Sequence, residues 1–464
     1  MDAARGPAVR GAWNPLVTAA RAGETAAFVR LTPLDPDLRP PPGARARRPG
    51  PDREPRLKIL VLTSRFPWPP DRGDRLTAFN VLRVLSARRH EVTLASFTDG
   101  REPADAVEQV SRHCVRVETV RLPRWRSWLQ AWAGLPSLVP SQVSFYRSAR
   151  MRALARRLGE DGGHDVVFAQ LIRMAPFAAD LGHGARVLWL ADSLGLALDR
   201  SRRFAPWWRR AGIRWERWRV DRFTARMSRR FEESWAISPS DMADLERIGC
   251  EKLELVTHGV DERLFGVPRR TGGPPRVVFL GNLSVPHNVD AALFAVREVW
   301  PAIRALVPEA EFLLVGAEPA PAVRDAAAAA GVEVTGRLPD LLDLWASADV
   351  MLAPLRFSTG IQNKVLEAMA AGVPVVTTPP VAAALGTLDG EHLRAATGAV
   401  ALAAAVAETL RNPAAAAKRA ERAREHVRSH FSWDTIVRGL ERVADSAKAT
   451  PGARAGGSAA PPPR

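Results

Sequence analysis

Short apolar runs alternate with amphipathic helical patterns along most of the chain. The first run covers residues 57–64 (LKILVLTS), and residues 74–89 then place three leucines and a phenylalanine on one helix face. Further strands are predicted at 90–97, 115–122, 165–170, 185–192, 233–239 and 252–259. Because strands alternate with helices, we predict a parallel sheet that helices cover on both faces.

The same alternation restarts after a glycine- and proline-rich break at residues 269–275 (RRTGGPP), which we interpret as a linker. The second series predicts strands at 276–281, 311–316, 332–336, 350–355 and 373–378, and helices at 289–306, 320–330, 338–348 and 363–371. This pattern indicates an α/β fold with two Rossmann-like, doubly wound domains, 57–268 and 276–430, that face each other across a cleft.

The two ends of the chain differ from this globular part. Residues 431–447 have apolar side chains at helical spacing and are predicted to form a helix that packs back on the domains. Residues 1–56 and 448–464 are rich in proline, glycine and arginine, so we predict that both are disordered. We find neither the apolar core of a signal peptide nor a membrane span, which favours a cytoplasmic protein.

Composition adds a preference for anionic partners. The 464 residues carry a formal net charge of +16, which suits nucleotides, phosphates, anionic lipids or nucleic acid. The two cysteines, Cys114 and Cys250, are far apart and fit no metal-ligand spacing, so we expect neither a disulfide framework nor a zinc module.

One predicted helix start carries two charged residues in apolar surroundings. After the strand at 350–355, the sequence 358–376 (STGIQNKVLEAMAAGVPVV) predicts a helix that begins near Ile361, with Lys364 and Glu367 in its first turn and on one face. The free N–H groups of a helix start and a lysine favour a phosphate, and a carboxylate can accept hydrogen bonds from ribose hydroxyls. Together they predict a nucleoside diphosphate site, and an ordinary surface ion pair is the alternative.

The sequence LEAMAAGVPVV at 366–376 resembles the signature of the retaining family 4 glycosyltransferases, in which two glutamates lie eight positions apart. The segments AISPSDMADL, VTHGVDERLF, FLGNLS and VTGRLPDLLDLWASADVMLAPL resemble the same family in the same order. The resemblance covers about 57–446 and implies the GT-B fold, a nucleotide-diphosphate sugar as donor, and neither a metal nor a cofactor. Within the family, LTSRFPWPPDRGDRLTAF and GNLSVPHNVDAALF look most like the exosortase-associated (PEP-CTERM type) bacterial sugar transferases, which implies a role in exopolysaccharide or cell-envelope glycan synthesis.

Three positions depart from the family pattern. The first signature glutamate falls at Thr359, and Gln170 replaces the histidine that the family places near the donor sugar. The loop at 281–288 lacks the arginine and lysine that bind the diphosphate in the family, and Lys364 and Arg356 are the cations that would compensate. The acceptor-activating group stays open, and a catalytically inactive scaffold is an alternative.

The resemblance assigns roles to particular residues. It gives Lys364, Glu367 and Gln170 as catalytic residues. It assigns donor binding to Gly73, Gly281, Asn282, Arg337, Leu338, Thr359, Gly360, Ile361, Gln362, Asn363, Lys364 and Glu367. Arg173 and Asp192 are the acceptor-site residues that we predict. Turn glycines at 73 and 281, solvated arginines at 173 and 337, and a helix cap at Asp192 are the alternative interpretations.

Residues 202–230 are dense in arginine and tryptophan and predict a basic amphipathic helix. Such a helix suits the inner face of an anionic plasma membrane, where a lipid-linked acceptor would lie. The alternative is a helix that packs on the first sheet and exposes a solvated basic face.

We therefore expect a retaining, metal-independent sugar transferase with a glycan or lipid-linked acceptor. A nucleotide-sugar epimerase or hydrolase on the same fold is one alternative, although the nine histidines form no evident cluster in the sequence. A basic nucleic-acid-binding protein is another, but no motif for it is present and we expect no nucleic acid partner.

Overall fold

The computed structural model of the protein describes residues 56–70, 73–202, 205–270, 272–338, 340–357 and 360–449. The predicted disordered ends therefore lie almost entirely outside the described residues. At the C-terminal end, the last helix continues to Ala449, two residues beyond its predicted end.

The first domain is built on a seven-stranded parallel sheet with the order β3-β2-β1-β4-β5-β6-β7. Its strands are β1 (Lys58–Thr63), β2 (Glu91–Thr98), β3 (Arg116–Arg121), β4 (Val166–Gln170), β5 (Ala185–Ala191), β6 (Glu233–Ala236) and β7 (Leu253–Leu255). Its helices are α1 (Gly73–Ala87), α2 (Ala106–Ser111), α3 (Arg124–Ala133), α4 (Ser141–Phe145), α5 (Ala149–Gly162), α6 (Ala175–Ala178), α7 (Leu194–Arg202), α8 (Trp207–Ser228) and α9 (Pro239–Arg247). A 3₁₀ turn, Glu262–Gly266, leads to the second domain.

The second domain has a six-stranded parallel sheet with the order β10-β9-β8-β11-β12-β13. Its strands are β8 (Arg276–Leu280), β9 (Glu311–Val315), β10 (Glu333–Gly336), β11 (Val350–Ala353), β12 (Val375–Thr377) and β13 (Arg394–Ala395). Its helices are α10 (Pro286–Phe294), α11 (Trp300–Leu306), α12 (Pro321–Ala330), α13 (Leu342–Ser347), α14 (Asn363–Ala370), α15 (Pro379–Ala384), α16 (Ala399–Arg411) and α17 (Pro413–His430). The two parallel-sheet domains confirm the predicted fold class.

Helices on both faces bury the central strands, which explains why these strands read as continuous apolar runs. All five residues of β4 are buried, as are all four residues of β11. The predicted helix at 289–306 is interrupted by a π turn, Ala295–Val299, just before Pro301, whose missing N–H cannot continue the regular hydrogen-bond pattern. The two-residue strand β13 was not predicted, since it is too short to leave a pattern.

The last helix, α18 (Asp434–Ala449), returns from the second domain to the first and packs against α1, β4 and β5. Ile436, Leu440 and Val443 form its buried stripe. In the described ranges, every helix is either too short or too polar for a segment that spans a bilayer.

Candidate functional site

A cavity of about 1100 Å³ lies between the two domains. It opens at the carboxyl edges of both sheets, where the strand order switches between β1 and β4 and between β8 and β11. The predicted donor residues that line it are Gly73, Gly281, Asn282, Arg337, Leu338, Ile361, Gln362, Asn363, Lys364 and Glu367. Gly360, Gln170, Arg173 and Asp192 are described but lie outside this lining, and Thr359 lies outside the described residues.

The helix that carries the two charged residues begins later than predicted. α14 starts at Asn363, so Lys364 lies in its first turn and Glu367 lies in its second. The reason is the backbone before it, because Gly360 has a φ of +63° and Gln362 is extended. Both conformations are incompatible with a right-handed helix.

The ammonium group of Lys364 is buried next to a neutral amide oxygen and an aromatic ring. Its side chain is only 9% exposed, its Nζ lies 2.5 Å from Asn288 Oδ1, and it lies 5.1 Å from the centre of the Phe279 ring. Burial lowers the pKa of Lys364 to about 7, although the charge of Glu367 opposes this shift. A buried ammonium with a neutral acceptor and an aromatic face is poorly neutralised, so the site favours an anion.

Glu367 faces a second carboxylate. Burial raises the pKa of Glu367 to about 8, the charge of Asp261 adds to the increase, and Lys364 opposes it. Asp261 is held by Arg263, whose Nη2 lies 2.7 Å from Asp261 Oδ2. Because protonated and ionised carboxyl groups together can donate and accept hydrogen bonds, this acid pair suits the vicinal hydroxyls of a sugar.

Sequence reasoning missed His287, which lines the cavity at the second residue of α10. Burial and the charge of Lys364 lower the pKa of His287 to about 4. The effect of Lys364 indicates that both side chains face the same part of the cavity. The loop at 281–288, which lacks arginine and lysine, thus still has an ionisable nitrogen, and the position of His287 after Pro286 at a helix start was the available signal.

Arg356 does not take the compensating role that the sequence suggested. Its guanidinium is ion-paired with Asp290 and lies 4.9 Å from the centre of the Phe294 ring. Arg356 is also absent from the cavity lining. The prediction is therefore wrong for Arg356, since its charge is used on the outer side of α10.

The loop after β8 is shaped by its own side chains. Asn282 Oδ1 accepts hydrogen bonds from Ser284 N at 2.9 Å and from Ser284 Oγ at 2.7 Å, and Asn288 Nδ2 donates to Asn282 O at 3.0 Å. A Cβ atom on Gly281 would lie 2.9 Å from the Asn288 side chain, so only glycine fits here. The contacts hold Asn288 where it meets Lys364.

Residues 258–260, where the chain passes from the first domain to the second, pack against Trp433 beside α14. We call this contact the interdomain crossing. His258 stacks on Trp433 with ring centres 5.6 Å apart, and Trp433 Nε1 donates to Val260 O at 3.2 Å. Burial lowers the pKa of His258, while hydrogen bonds that include the Asn363 side chain oppose this shift. The interdomain crossing is thereby connected directly to the first residue of α14.

On the first-domain wall, two predicted side chains, Gln170 and Arg173, contact Asp74. Gln170 Nε2 donates to Asp74 O at 3.0 Å, and Arg173 Nη2 lies 3.6 Å from Asp74 Oδ2. Arg65 Nη1 also contacts this carboxylate, at 2.9 Å. Gln170 therefore supports the start of α1, next to Gly73, and its catalytic role stays a prediction.

Asp192 lies against Gly360 from the first domain. A Cβ atom on Gly360 would come within 3.1 Å of Asp192 Cβ. At the start of α7, Ser193 Oγ accepts the hydrogen bond from Leu196 N, so Ser193 caps this helix. Asp192 therefore reaches the loop before α14 rather than the cavity itself.

Part of this chain is similar in sequence to a known family. Residues 274–412 match the family described as "Glycosyl transferases group 1". Glycogen synthase of Mycobacterium tuberculosis is 27% identical over 244 residues, which are 47% of this chain and 56% of that protein. The match thus spans little more than half the length of the curated relatives.

Solved structures resemble the chain over both domains. Sucrose-phosphate synthase from Thermosynechococcus elongatus aligns with a TM-score of 0.63 at 18% identity, over 85% of this chain and 100% of that chain. Anabaena HepE in complex with UDP aligns with a TM-score of 0.60 at 16% identity, over 84% of this chain and 100% of that chain. The chain therefore has the two-domain GT-B fold of these structures.

The described residues contain no group of three or more histidine, cysteine, aspartate or glutamate side chains placed to hold a metal ion. Independence from metals and cofactors stays a prediction.

Proposed function

We propose that the protein transfers a sugar from a nucleoside diphosphate donor to an acceptor hydroxyl, with retention of the anomeric configuration. The observation that carries the proposal is the poorly neutralised Lys364 at the start of α14, in an interdomain cavity that also contains Glu367 and Asp261. The match of residues 274–412 to group 1 glycosyl transferases supports it.

The donor diphosphate would bind between α14 and the start of α10. Breaking the bond from the anomeric carbon to the diphosphate oxygen leaves negative charge on the leaving group, so cations and N–H groups in a dry cleft lower the barrier. Lys364 supplies a charge, and His287 can take up a proton when the diphosphate is close. The acceptor oxygen bonds to the same face of the sugar, and its proton passes to the leaving diphosphate.

Glu367 would bind the ribose, and the backbone of Arg337 and Leu338 would contact the base. The lining contains all three residues, and Arg263 links Asp261 to Asp340 at this end of the cavity, with an Nη1–Oδ2 distance of 3.8 Å. Anabaena HepE, which shares the fold, was solved in complex with UDP, and this makes uridine the first base to test here.

The acceptor would be a polysaccharide or a lipid-linked glycan. Arg65 and Arg173 share the single carboxylate of Asp74, so this wall keeps positive charge for an acceptor phosphate. The resemblance to exosortase-associated sugar transferases supports a role in exopolysaccharide or cell-envelope glycan synthesis. A peripheral position on the inner face of the plasma membrane would bring the protein to such an acceptor.

A nucleotide-sugar epimerase or hydrolase is the second candidate. His113, His258 and His287 all line the cavity, which the sequence did not reveal. Two of them are poorly placed to act as bases. His258 is buried and stacked on Trp433, and Lys364 lies beside His287 and lowers its pKa. A reaction with donor alone separates the candidates, because an epimerase or hydrolase forms product without an acceptor.

A thermal-shift screen of UDP, GDP and ADP with their sugar conjugates tests the proposal. We expect one nucleotide diphosphate to raise the Tm of the wild-type protein and to raise that of Lys364→Met by a smaller amount. With the donor so identified, NMR of the product would give its anomeric configuration. If no nucleotide diphosphate changes the Tm of the wild-type protein, the donor site is excluded. The inactive scaffold and the nucleic-acid-binding protein would then remain as alternatives. A gel shift with nucleic acid at physiological salt would distinguish these two.

A further inference from the structure

All exposed tryptophans of the described residues lie on two helices of the first domain, α3 and α8. Trp207 is 81% exposed, and Trp125 and Trp132 are each 69% exposed. The other members are Trp128, Leu129, Trp208, Trp215 and Trp218. The concentration matters because exposed apolar residues are normally scattered over a surface, whereas a contiguous patch marks an interaction site.

A buried arginine ties α8 to the segment that follows α3. Arg219 of α8 is fully buried, and its Nη2 donates to Gly134 O at 2.9 Å and to Val139 O, in the segment after α3. Its partner Glu216 accepts hydrogen bonds from Ser141 N at 2.7 Å and from Arg219 Nη1 at 2.9 Å. Since unpairing a buried arginine is costly, the segment that directly follows α3 is held firmly against α8.

The exposed rings are separate from the face that packs α8 on its domain. On the packed face, Val220, Phe223 and Met227 form a buried stripe. Trp215 and Trp218 stack on each other outside it, with ring centres 5.0 Å apart. The packed helix that the sequence suggested is present, since α8 packs on the domain through one face, and its second apolar stripe is exposed.

The exposed charges on this surface are all positive. Residues 124–146 contain two arginines and no acidic residue, and residues 205–226 contain seven arginines and two acidic residues. The two acids, Glu216 and Asp221, are partly buried and paired with Arg219 and Arg217. The exposed side chains of Arg126, Arg209, Arg210, Arg214 and Arg222 complete what we call the tryptophan–arginine surface.

We propose that the tryptophan–arginine surface docks the protein on an anionic lipid bilayer. Tryptophan rings favour the boundary between headgroups and acyl chains, and arginines near the surface are attracted to lipid phosphates. A second copy of the chain is a poor occupant, because two such surfaces would oppose arginine to arginine without an exposed carboxylate. Neither helix crosses the bilayer, so the contact is interfacial.

The surface also leads to the cleft wall. The chain passes from α3 through α4 to Tyr146, and the Arg173 guanidinium lies 5.2 Å from the centre of the Tyr146 ring. A lipid-linked acceptor on the docked bilayer would thus reach Arg65 and Arg173 with its phosphate. This last step rests on the proposed function, whereas bilayer docking does not.

Flotation of the full chain with vesicles tests the docking. We expect binding to phosphatidylcholine vesicles that contain phosphatidylglycerol, and little binding to phosphatidylcholine alone. Arg209→Gln, Arg210→Gln and Arg214→Gln combined should lower the vesicle partition coefficient by about 100-fold, since each arginine contributes about 1 kcal/mol. The matched control replaces three exposed arginines of the second domain, Arg297, Arg304 and Arg324, and should leave partitioning unchanged.

The aromatic contribution needs its own variant. Trp125→Ser, Trp132→Ser and Trp207→Ser combined should abolish binding that persists at high salt, whereas Val400→Ser and Leu388→Ser, exposed elsewhere, should not. Equal flotation of the tryptophan and control variants would overturn the proposal. So would a wild-type dimer that the tryptophan variant converts to a monomer, since a second copy would then cover the surface.

The same variants test vesicle docking separately from nucleotide donor binding. All four sets of variants should keep the wild-type Tm increase with the nucleotide diphosphate. If vesicles fail to bind while the nucleotide still does, docking is wrong and the proposed transfer stands. If vesicles bind and no nucleotide does, docking stands and the donor site is wrong.

Discussion

Lys364 Nζ and Asn288 Oδ1 lie 2.5 Å apart and join α14 to α10 beneath the interdomain cavity. The contact places an ammonium group, and not a guanidinium, between two helix starts. Because an amide oxygen cannot neutralise this charge, the site attracts an anion.

Replacing Lys364 by methionine should separate binding from folding. We expect the affinity for the nucleotide diphosphate to fall by about 10- to 100-fold, since a charged hydrogen bond contributes about 1.5–3 kcal/mol. The free energy of unfolding should stay equal or rise, because burial of the ammonium group is unfavourable without a ligand. Titration calorimetry and urea unfolding measure the two effects.

The control is Lys418→Met, which removes an exposed lysine on α17. It should change neither quantity. If Lys364→Met bound the nucleotide as tightly as wild type, Lys364 would not contact the diphosphate.

Glu367→Gln should change the proton balance of nucleotide binding. Burial lowers the pKa of Lys364 to about 7 and raises that of Glu367 to about 8, so near neutral pH each group is partly uncharged in the nucleotide-free protein. A bound diphosphate raises the pKa of Lys364, and ribose hydroxyls lower that of Glu367, so the wild-type protein should exchange almost no protons. Without Glu367, only the uptake at Lys364 remains.

Calorimetry in two buffers with different ionisation enthalpies counts these protons. We expect Glu367→Gln to take up more protons on nucleotide binding than wild type at about pH 7.5, and its affinity to decrease as the pH rises from about 7 to 9. Identical proton counts for the two proteins would show that Glu367 does not meet the ribose.

Gly360→Ala should move the loop before α14. Gly360 has a φ of +63°, and an added Cβ would meet Asp192 Cβ at 3.1 Å. Gly386 is a matched control, because it has the same φ of +63° and nothing within 4 Å of an added Cβ. Both variants should lose about 1 kcal/mol of stability through the left-handed backbone, but only Gly360→Ala should also weaken nucleotide binding.

Thermal unfolding of both variants measures the backbone strain that they share. Nucleotide titration measures the effect of the added contact with Asp192, which only Gly360→Ala has. Equal nucleotide affinities would mean that Asp192 and the loop tolerate the methyl group. The predicted acceptor role of Asp192 would then need a different connection to the site.

Gly259→Ala should disrupt the crossing between the domains. Its Cβ would lie 2.6 Å from Trp433 Cγ, and the Trp433 backbone lies equally close, so no rotamer relieves the clash. We expect a loss of about 2–4 kcal/mol in the free energy of unfolding by urea, as is typical of overpacking in a core. Gly266→Ala, with nothing within 4 Å of its Cβ, should cost much less.

A Gly259→Ala protein as stable as Gly266→Ala would contradict the tight contact with Trp433. A crystal structure of the variant would then show how α18 had shifted.

Several elements were predictable because their residues carry the signal locally. β1, β4 and β11 are buried on both faces and therefore appear as apolar runs. Lys364 and Glu367 stand out in the sequence because charged residues are rare in a buried helix. The order of strands and helices along the chain was enough to indicate two doubly wound sheets.

Other features depend on contacts between distant residues. Arg356 pairs with Asp290, 66 positions away, and Trp433 donates to Val260, 173 positions away. No sequence pattern indicated the role of α3, because its tryptophans become a surface only when Arg219 fixes the following segment to α8. The role of His287 likewise emerges only beside Lys364.

By itself, the sequence determined the type of fold and one charged helix start, since periodicity and local burial are properties of neighbouring residues. Only the tertiary structure decided which side chains share the cavity, which cation is already paired and which aromatic rings face solvent. These depend on the packing of elements that are far apart in the chain, and no local pattern encodes a distance between them.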